Sequence, residues 1–305
     1  MPLIIPKKLP AYDSLSKENI FVMHQERAAT QDIRPLEIVI VNLMPTKIAT
    51  ETQIARLLAN SPLQVHMSLL QMASHEATHV SGDHLGAFYK TLDEIKSRKY
   101  DGMIITGAPV ETLPFEEVDY WKELCEVMEF SKTNVYSTLH ICWGAQAALY
   151  YHYGIGKQQL SKKLFGIFEH KVMRPMNPLV RGFDDVFFAP HSRHTGLNKQ
   201  DLVKHSELRI LAESEEAGPF ILSTENGRQI FVTGHPEYDL LTLDSEYRRD
   251  KNKGLPIDVP KNYYPQDDPS NTPVFRWKSH AFLLYENWLN YYVYQNTPYD
   301  LHVIS

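Results

Sequence analysis

The chain has 305 residues, of which 43% are hydrophobic and 22% are charged, a composition typical of soluble globular proteins. Its formal net charge of −6 argues against a broad nucleic-acid-binding surface. No apolar run reaches the roughly 18 residues of a membrane helix, and the proline-broken N-terminus lacks the apolar core of a signal peptide. Two cysteines do not make a disulfide framework. We therefore expect a cytoplasmic protein that has no nucleic-acid or membrane partner.

The first half of the chain predicts alternating strands and helices. Residues 1–35 are polar and mixed, and we expect an irregular arm with a short helix near 19–30. The β-branched run at 36–43 is typical of a strand buried on both faces of a parallel sheet. Further strands are predicted at 63–72, 100–107 and 134–141, and helices at 49–60, 115–131 and 143–153. This alternation predicts an α/β fold whose mostly parallel sheet has helices on both faces, with ligands at the carboxyl ends of the strands.

The later chain has a different pattern. Short, closely spaced strands are predicted at 183–190, 207–212, 220–224 and 229–233, and they are more typical of hairpins, so we expect an antiparallel extension. Residues 243–274 are rich in Pro, Asp, Lys and Tyr and are predicted to form a polar, lid-like surface segment. A helix over 276–293 follows. We expect residues 36–300 to form one catalytic domain.

Cys142 is the strongest candidate nucleophile. It lies between a predicted strand and a predicted helix, in the sequence His-Ile-Cys-Trp-Gly-Ala-Gln over residues 140–146. A sharp strand-to-helix turn exposes its middle side chain above the sheet, and a helix N-terminus favours a thiolate. The alternative is a small apolar side chain at a strand end. Cys125, by contrast, is not a candidate nucleophile. It shares a helical face with Trp121 and Met128 and is predicted to be a core residue.

Partners for the nucleophile are predicted in Gly-His-Pro-Glu at 234–237, directly after a strand. Residues i and i+2 of an extended segment project to the same side, and Pro236 biases His235 towards the extended conformation. Glu237 can then hold the imidazole of His235 in one tautomer while the other nitrogen faces Cys142. The chain holds 14 histidines, so the position of this one after a strand is what singles it out. The three residues predict a Cys-His-Glu triad.

Three separated motifs resemble those of the homoserine O-acyltransferase family (homoserine trans-succinylase type), within the class I glutamine amidotransferase superfamily. They are Asn-Leu-Met-Pro-Thr-Lys at 42–47, the cysteine motif at 140–146, and Gly-His-Pro-Glu-Tyr at 234–238. The resemblance covers nearly the whole chain and implies an amidotransferase-like, flavodoxin-like fold and a homodimer. It also implies transfer of an acyl group from a coenzyme A thioester to L-homoserine, in methionine biosynthesis, with no permanently bound cofactor.

The resemblance also implies roles for individual residues. Cys142 would carry the acyl group as a thioester, His235 would accept a proton and Glu237 would be its partner. Substrate contacts are implied for Lys163, Ser192 and Arg249, whose residue types are present at the matching positions. An Arg at 249 suits bidentate capture of the homoserine carboxylate, although a solvated surface charge is the usual fate of an Arg.

Stabilisation of the oxyanion is expected from backbone N–H groups. The candidates are the N–H group of Trp143, one residue after the nucleophile, and an N–H group near Leu43. Lys47 is a further candidate for steadying the acyl donor.

The acyl donor is predicted from Glu111, in the loop that follows the strand at 100–107. Family members with Gly at this position resemble succinyl-CoA users, and members with Glu resemble acetyl-CoA users. A carboxylate here fills space and repels the distal carboxylate of a succinyl chain. We therefore expect acetyl-CoA as the co-substrate, with succinyl-CoA as the alternative and a solvent-facing loop Glu as the structural alternative.

Other classes of function receive less support. His-Glu-Ala-Thr-His at 75–79 matches a zinc-protease string, but its setting is a poor helix and Gly82 ends it quickly, so we expect a polar loop and no metal site. Glutamine amide hydrolysis shares the cysteine turn and His-Pro-Glu, yet Thr-Gly-Ala-Pro at 106–109 departs from the expected Gly-Gly-Pro loop. A non-catalytic binding protein on the same fold stays open, and the complete triad disfavours it.

Overall fold

The computed structural model describes residues 3–18, 20–28, 34–75 and 81–304, and within these ranges helices surround one mixed sheet of twelve strands. The strands β1 to β12 are Leu3–Ile4, Val22–Met23, Leu36–Val41, Val65–Leu70, Tyr89–Lys90, Tyr100–Ile105, Val135–Ile141, Lys157–Val172, Val186–Leu197, Leu208–Ser214, Gly218–Thr224 and Gln229–Val232. The α-helices α1 to α10 are Pro10–Lys17, Gln25–Ala28, Lys47–Leu58, Gly82–Phe88, Leu92–Ile95, Trp121–Asn134, Trp143–Tyr153, Lys199–Leu202, Thr242–Asn252 and Lys278–Asn287. A π-helix, Trp288–Tyr294, continues α10.

The sheet has a parallel part and an antiparallel part. Its strand order is β2-β1-β4-β3-β6-β7-β12-β11-β10-β8-β9, with β5 beside β4. All pairs from β2 to β12 along this order are parallel, whereas β12–β11, β11–β10, β10–β8 and β8–β9 are antiparallel. The predicted α/β class with an antiparallel extension is therefore confirmed.

The helices cover both faces of the parallel part, as predicted. Alternate residues of β3 point to opposite faces, because side chains of a strand alternate. Ile38 belongs to an apolar cluster with α1, α3 and α10, and Val39 belongs to a second cluster with α6 and α7. On the first face Trp288 packs so closely on β6 that an added Cβ at Gly102 would lie 2.9 Å from its ring, and its Nε1 donates to Ser137 Oγ at 3.0 Å.

The prediction of an irregular N-terminal arm is wrong for the described part of residues 1–35. β1 and β2 extend the parallel sheet beside β4, and the helix α1 precedes the short helix expected near 19–30, which is present as α2. Leu15 of α1 is fully buried in the first apolar cluster. Two-residue strands carry too little periodicity to be detected in a polar sequence, and only the pairing of β1 with β4 and of β2 with β1 identifies them.

The segment 243–274 contains more structure than its composition indicates. It begins within α9, and Leu243, Tyr247, Tyr263 and Tyr264 are buried in a third cluster together with Trp277. The expectation that this segment is too polar to contribute to a core is therefore wrong. Its polar residues face outward while the tyrosines supply the apolar surface, since a tyrosine ring is mostly apolar.

The remaining elements differ from prediction mainly at their ends. The strand β8, which spans residues 157–172, was not predicted, because its first half is polar and exposed. It pairs with β9 through residue 197, beyond the predicted end at 190. None of the described helices combines the length and the apolar character that crossing a bilayer requires.

Candidate active site

Cys142 lies in a strained turn between β7 and α7. Its backbone has φ 50° and ψ −114°, a positive φ that non-glycine residues rarely adopt, and it caps the N-terminus of α7. Its N–H donates to Val232 O at 2.7 Å, which joins the end of β7 to β12. Gly144 allows this turn, because an added Cβ would lie 2.6 Å from Thr106 O. The predicted nucleophile turn is therefore present, and the cysteine is 5% exposed.

The structure brings the predicted triad together. His235 follows β12 at the same sheet edge, and its Nδ1 lies 2.7 Å from Glu237 Oε1. Cys142 also lies close enough to this imidazole to interact with it by charge and hydrogen bonding. Burial lowers the pKa of His235, but the negative charges of Cys142 and Glu237, with hydrogen bonds to both, raise it well above its usual value. The geometry thus favours an imidazolium beside the cysteine sulfur.

Gly107 was missed by the sequence reasoning as a site residue. It follows β6, and a Cβ added to it would lie 3.3 Å from Cys142 Cβ and 3.4 Å from His235 Cε1. The missing side chain keeps open the space that faces both reactive groups. The position of Gly107 after a strand and before Ala-Pro is the signal that could have pointed to it.

The three residues implied to contact substrate converge on a fourth, Glu246 of α9. Lys163 on β8 donates to Glu246 Oε1, and Ser192 Oγ on β9 donates to its two carboxylate oxygens at 2.8 and 2.9 Å. Arg249 Nη2 lies 4.0 Å from Glu246 Oε1, while its guanidinium forms a two-point ion pair with Asp250 at 2.6 and 3.0 Å. No sequence motif pointed to Glu246, because its partners are distant along the chain.

Glu111 is half-buried near the triad and does not face open solvent. Burial raises its pKa, and this effect is opposed by a hydrogen bond from the backbone N–H of His194 and by the charges of His194, His235 and Lys163. Glu111, in the loop after β6, therefore lies within electrostatic range of both His235 and Lys163 of β8. The structural alternative of a solvent-facing loop carboxylate is wrong.

The groups expected to stabilise the oxyanion or the acyl donor differ in whether they already have a hydrogen-bond partner. The Leu43 N–H donates to Thr106 Oγ1 at 2.8 Å, so this group is already bonded. The Trp143 N–H is at the first position of α7, where N–H groups have no partner within the helix. Lys47 is buried and donates to Asn42 O at 2.6 Å, and burial lowers its pKa to about 8. Lys47 therefore holds the loop after β3.

A buried hydrogen-bond link joins the nucleophile helix to the strand that carries Ser192. Gln146 of α7 exchanges two hydrogen bonds with Thr195 of β9, at 2.9 and 3.3 Å. Arg193, which is 3% exposed, donates to the carbonyls of Thr195 and Ala217. Its charge interacts with those of Cys142 and Glu111. The antiparallel extension is thereby fixed against the parallel part at the site itself.

Two other sequence features lie away from this site. Cys125 is half-buried against the second apolar cluster, and burial raises the pKa of its thiol to about 11. In the zinc-protease string only His75 belongs to the described residues, where its Nδ1 lies 2.6 Å from Asp119 Oδ2. Residues 76–79 lie outside them, so the polar-loop prediction stays a prediction.

Comparisons with known proteins agree with this geometry. A sequence model of the homoserine O-succinyltransferase family matches residues 2–299. A homoserine O-acetyltransferase of Petrotoga mobilis is 62% identical over 301 residues, which are 99% of this chain and 97% of that protein. The homoserine O-acetyltransferase of Clostridium novyi is 62% identical over 300 residues, or 98% and 99% of the two chains.

Similar solved structures share the fold alone. A glutamine amidotransferase of Thermotoga maritima superposes with a TM-score of 0.55 at 12% identity, covering 84% of this chain and 98% of its own. A glutamine amidotransferase of Methylobacillus flagellatus gives 0.51 at 10% identity, covering 85% and 95%. The amidotransferase-like fold is thus confirmed. The full-length sequence matches decide the relationship, and the chain belongs to the homoserine O-succinyltransferase family.

Proposed function

We propose that this protein is a homoserine O-acetyltransferase, which moves an acetyl group from acetyl-CoA to the hydroxyl of L-homoserine through a Cys142 thioester. The observation that carries the proposal is the buried Cys142–His235–Glu237 triad, which faces a separate cluster of charged residues around Glu246. Relatives 62% identical over nearly the whole chain bear the name homoserine O-acetyltransferase.

In the first half-reaction the Cys142 thiolate attacks the thioester carbonyl of the donor. The carbon–sulfur bond to CoA breaks, the acetyl group becomes bonded to Cys142 Sγ, and the CoA thiolate takes the proton of the His235 imidazolium. The N–H of Trp143 is the available donor for the tetrahedral oxyanion. Exchange of one thioester for another is nearly balanced in energy, so the cysteine is suited to accept the group.

Acylation changes the base strength of His235. The negative charge of Cys142 contributes to the raised pKa of His235, and that charge disappears when the sulfur becomes a thioester. The effect of burial, which lowers the pKa, then has less opposition. The neutral imidazole takes the proton of the homoserine hydroxyl, whose oxygen attacks the acetyl carbonyl while Cys142 leaves as thiolate. The proton remains on His235, which restores the starting ion pair.

The cluster around Glu246 is suited to a zwitterionic amino acid. The Arg249 guanidinium is partly exposed and matches the two-point geometry of a carboxylate, while the Glu246 carboxylate offers charge to an ammonium group. In the absence of an acceptor these charges are neutralised by Lys163 and Asp250. Binding of homoserine would exchange these internal pairs for pairs with the substrate.

Glu111 supports acetyl as the transferred group. Its carboxylate lies near His235 and Lys163, so a donor with a carboxylate at its distal end would bring like charge into a half-buried space. Acetyl carries no such charge. We propose Glu111 as the residue that selects acetyl-CoA over succinyl-CoA.

Intact-mass spectrometry with each donor alone tests this function. We expect an acetyl adduct on Cys142 that L-homoserine discharges, and little succinyl adduct. Glu111→Gly is expected to invert this preference, and Glu117→Gly, an exposed residue in the same connection, is the matched control. A succinyl adduct on the unmodified chain would overturn the donor assignment, and the absence of any adduct together with glutaminase turnover would overturn the function.

The cellular setting is also part of the proposal. We propose that the protein works in the cytoplasm as a homodimer, with acetyl-CoA as a co-substrate and no permanently bound cofactor, and that its product enters methionine biosynthesis. Two unpaired cysteines, one of them the nucleophile, support a reducing compartment. Sedimentation analysis tests the dimer, and a single monomeric species would exclude it.

A further inference from the structure

The ring of Tyr238 lies directly on the catalytic imidazole. The ring centroids of Tyr238 and His235 are 4.1 Å apart and the planes differ by 14°, which is a parallel stack. The Tyr238 N–H donates to His235 O at 3.3 Å, and its carbonyl accepts from Trp277 Nε1 at 2.9 Å. Tyr238 is 7% exposed. The backbone on both sides of the stack is therefore fixed.

This stack restricts a motion that the carboxylate of Glu237 leaves free. The hydrogen bond to His235 Nδ1 sets the tautomer and one point of the ring, but the imidazole can still tilt about that bond. A second aromatic ring against its face opposes the tilt. An aromatic face also stabilises a cation above it, so the stack favours the imidazolium over the neutral ring.

The phenol of Tyr238 also lies within electrostatic range of several charged groups of the site. Among its charged neighbours the phenol interacts most strongly with Glu246, and then with Glu237, Cys142 and Glu111. Burial is the main reason that the pKa of Tyr238 lies well above its usual value, so the hydroxyl stays neutral. The ring stacked on His235 and the neutral hydroxyl are thus two separable features of Tyr238.

We propose that Tyr238 is a positioning residue for His235, and that its aromatic ring, stacked on the imidazole, holds the plane in which that base receives the acceptor proton. This inference deepens the proposed function and rests on it for the identity of the acceptor. Tyr238→Phe keeps the stack and removes the hydroxyl, whereas Tyr238→Leu removes the stack. The two variants therefore separate the roles of ring and hydroxyl.

The first measurement needs no substrate. In a Cys142→Ala background, the titration of His235 is followed by NMR with 13C-labelled histidine, and its signal is assigned by His235→Asn. We expect Tyr238→Leu to lower the His235 midpoint by about half a pH unit, the equivalent of a weak cation–π contact, and Tyr238→Phe to leave it unchanged. Equal midpoints in the Leu and parent proteins would overturn the proposal.

The second measurement follows discharge of acetyl-Cys142 by L-homoserine. We expect Tyr238→Leu to slow it about tenfold or more because the base is misaligned, while Tyr238→Phe keeps the rate at saturating homoserine and raises the homoserine KM. Equal loss in both variants would assign the effect to the hydroxyl and contradict the proposal. If the Leu variant does not fold, Tyr238→Met replaces it. Failure of the unmodified protein to form an adduct would refute the proposed function instead, without changing the NMR result.

Discussion

The two parts of the sheet contribute different halves of the site. The parallel part supplies Gly107, Cys142 and His235, which lie shortly after the ends of β6, β7 and β12, at one edge of the sheet. The antiparallel extension supplies Lys163 and Ser192, in positions set by long-range pairing of β8 with β9. Four residues of β8, 160–163, lie opposite a single residue of β9, and such an irregularity redirects side chains near active sites.

This comparison separates chemistry from recognition. A strand followed by a turn places a side chain by local geometry alone, so the parallel part fixes the proposed nucleophile and base whatever the substrate is. The proposed recognition of the acceptor depends on three elements distant in sequence, β8, β9 and α9, that meet at Glu246. Substitutions in the first part should therefore stop both half-reactions, and substitutions in the second should affect only transfer to homoserine.

The largest effect is expected from the nucleophile. Cys142→Ala should abolish the acyl adduct and lower kcat by about 10⁴-fold or more, because the covalent route is lost. Intact-mass spectra and CoA release measure the two effects. Cys125→Ala is the control and should retain activity, since that thiol is half-buried against the second apolar cluster, away from the site. Residual CoA release near the parent rate would contradict covalent catalysis.

A substitution at Arg249 should impair transfer to homoserine without impairing the acylation of Cys142. Arg249→Lys should lower kcat/KM for homoserine by roughly 10–100-fold, because a lysine cannot form the two-point contact with a carboxylate. Formation of the acetyl adduct should be unchanged. Arg248→Lys, one residue away and bonded to Asp244, is the matched control. Slower adduct formation in the Arg249 variant would show that the two halves are not independent.

A smaller effect on the rate of acylation is expected at Gly107, which lies beside Cys142 and His235. Gly107→Ala places a methyl group 3.3 Å from Cys142 Cβ and 3.4 Å from His235 Cε1, in space that the transferred group needs. We expect acylation to slow by about tenfold, the usual cost of one methylene in a tight pocket. Stopped-flow CoA release measures it. Ala108→Gly is the control for a general change of the loop, and an unaffected Gly107 variant would show that the acyl group lies elsewhere.

The smallest effect concerns stability and Lys47. Its folded pKa of about 8 is lower than the usual value of about 10.5, so between these values the unfolded chain binds more protons and stability rises with pH. Relative to Lys47→Met, the free energy of unfolding should gain at most about 1.4 kcal/mol per pH unit across this window. Urea unfolding at several pH values measures the difference. Parallel pH profiles would show that Lys47 is not shifted by burial.

Local features made much of the fold and the triad predictable. A β-branched run followed by a polar turn identified β3, and the same reasoning placed Cys142 between β7 and α7. His235 and Glu237 were predictable because they are two residues apart in one extended segment, where geometry follows from the backbone. Each of these predictions used information within about ten residues of the site in question.

The features that were missed depend on distance in the chain. β8 has a polar first half and forms because β9 pairs with it, and β1 and β2 form because β4 offers an edge. In the sequence, Glu246 does not differ from the other acidic residues of the chain. Its role becomes visible only from its contacts with Lys163 and Ser192. The bonded state of the Leu43 N–H likewise depends on Thr106, which is 63 residues away.

The contact of Trp288 with Gly102 and Ser137 has a consequence for synthesis of the protein. The tryptophan covers one face of β6 and β7, yet the ribosome adds it long after those strands have been made. At about 5–20 residues per second, this face of the sheet stays uncovered for roughly 7 to 30 seconds. The nascent chain therefore exposes this apolar face during translation until its closing helix has been made.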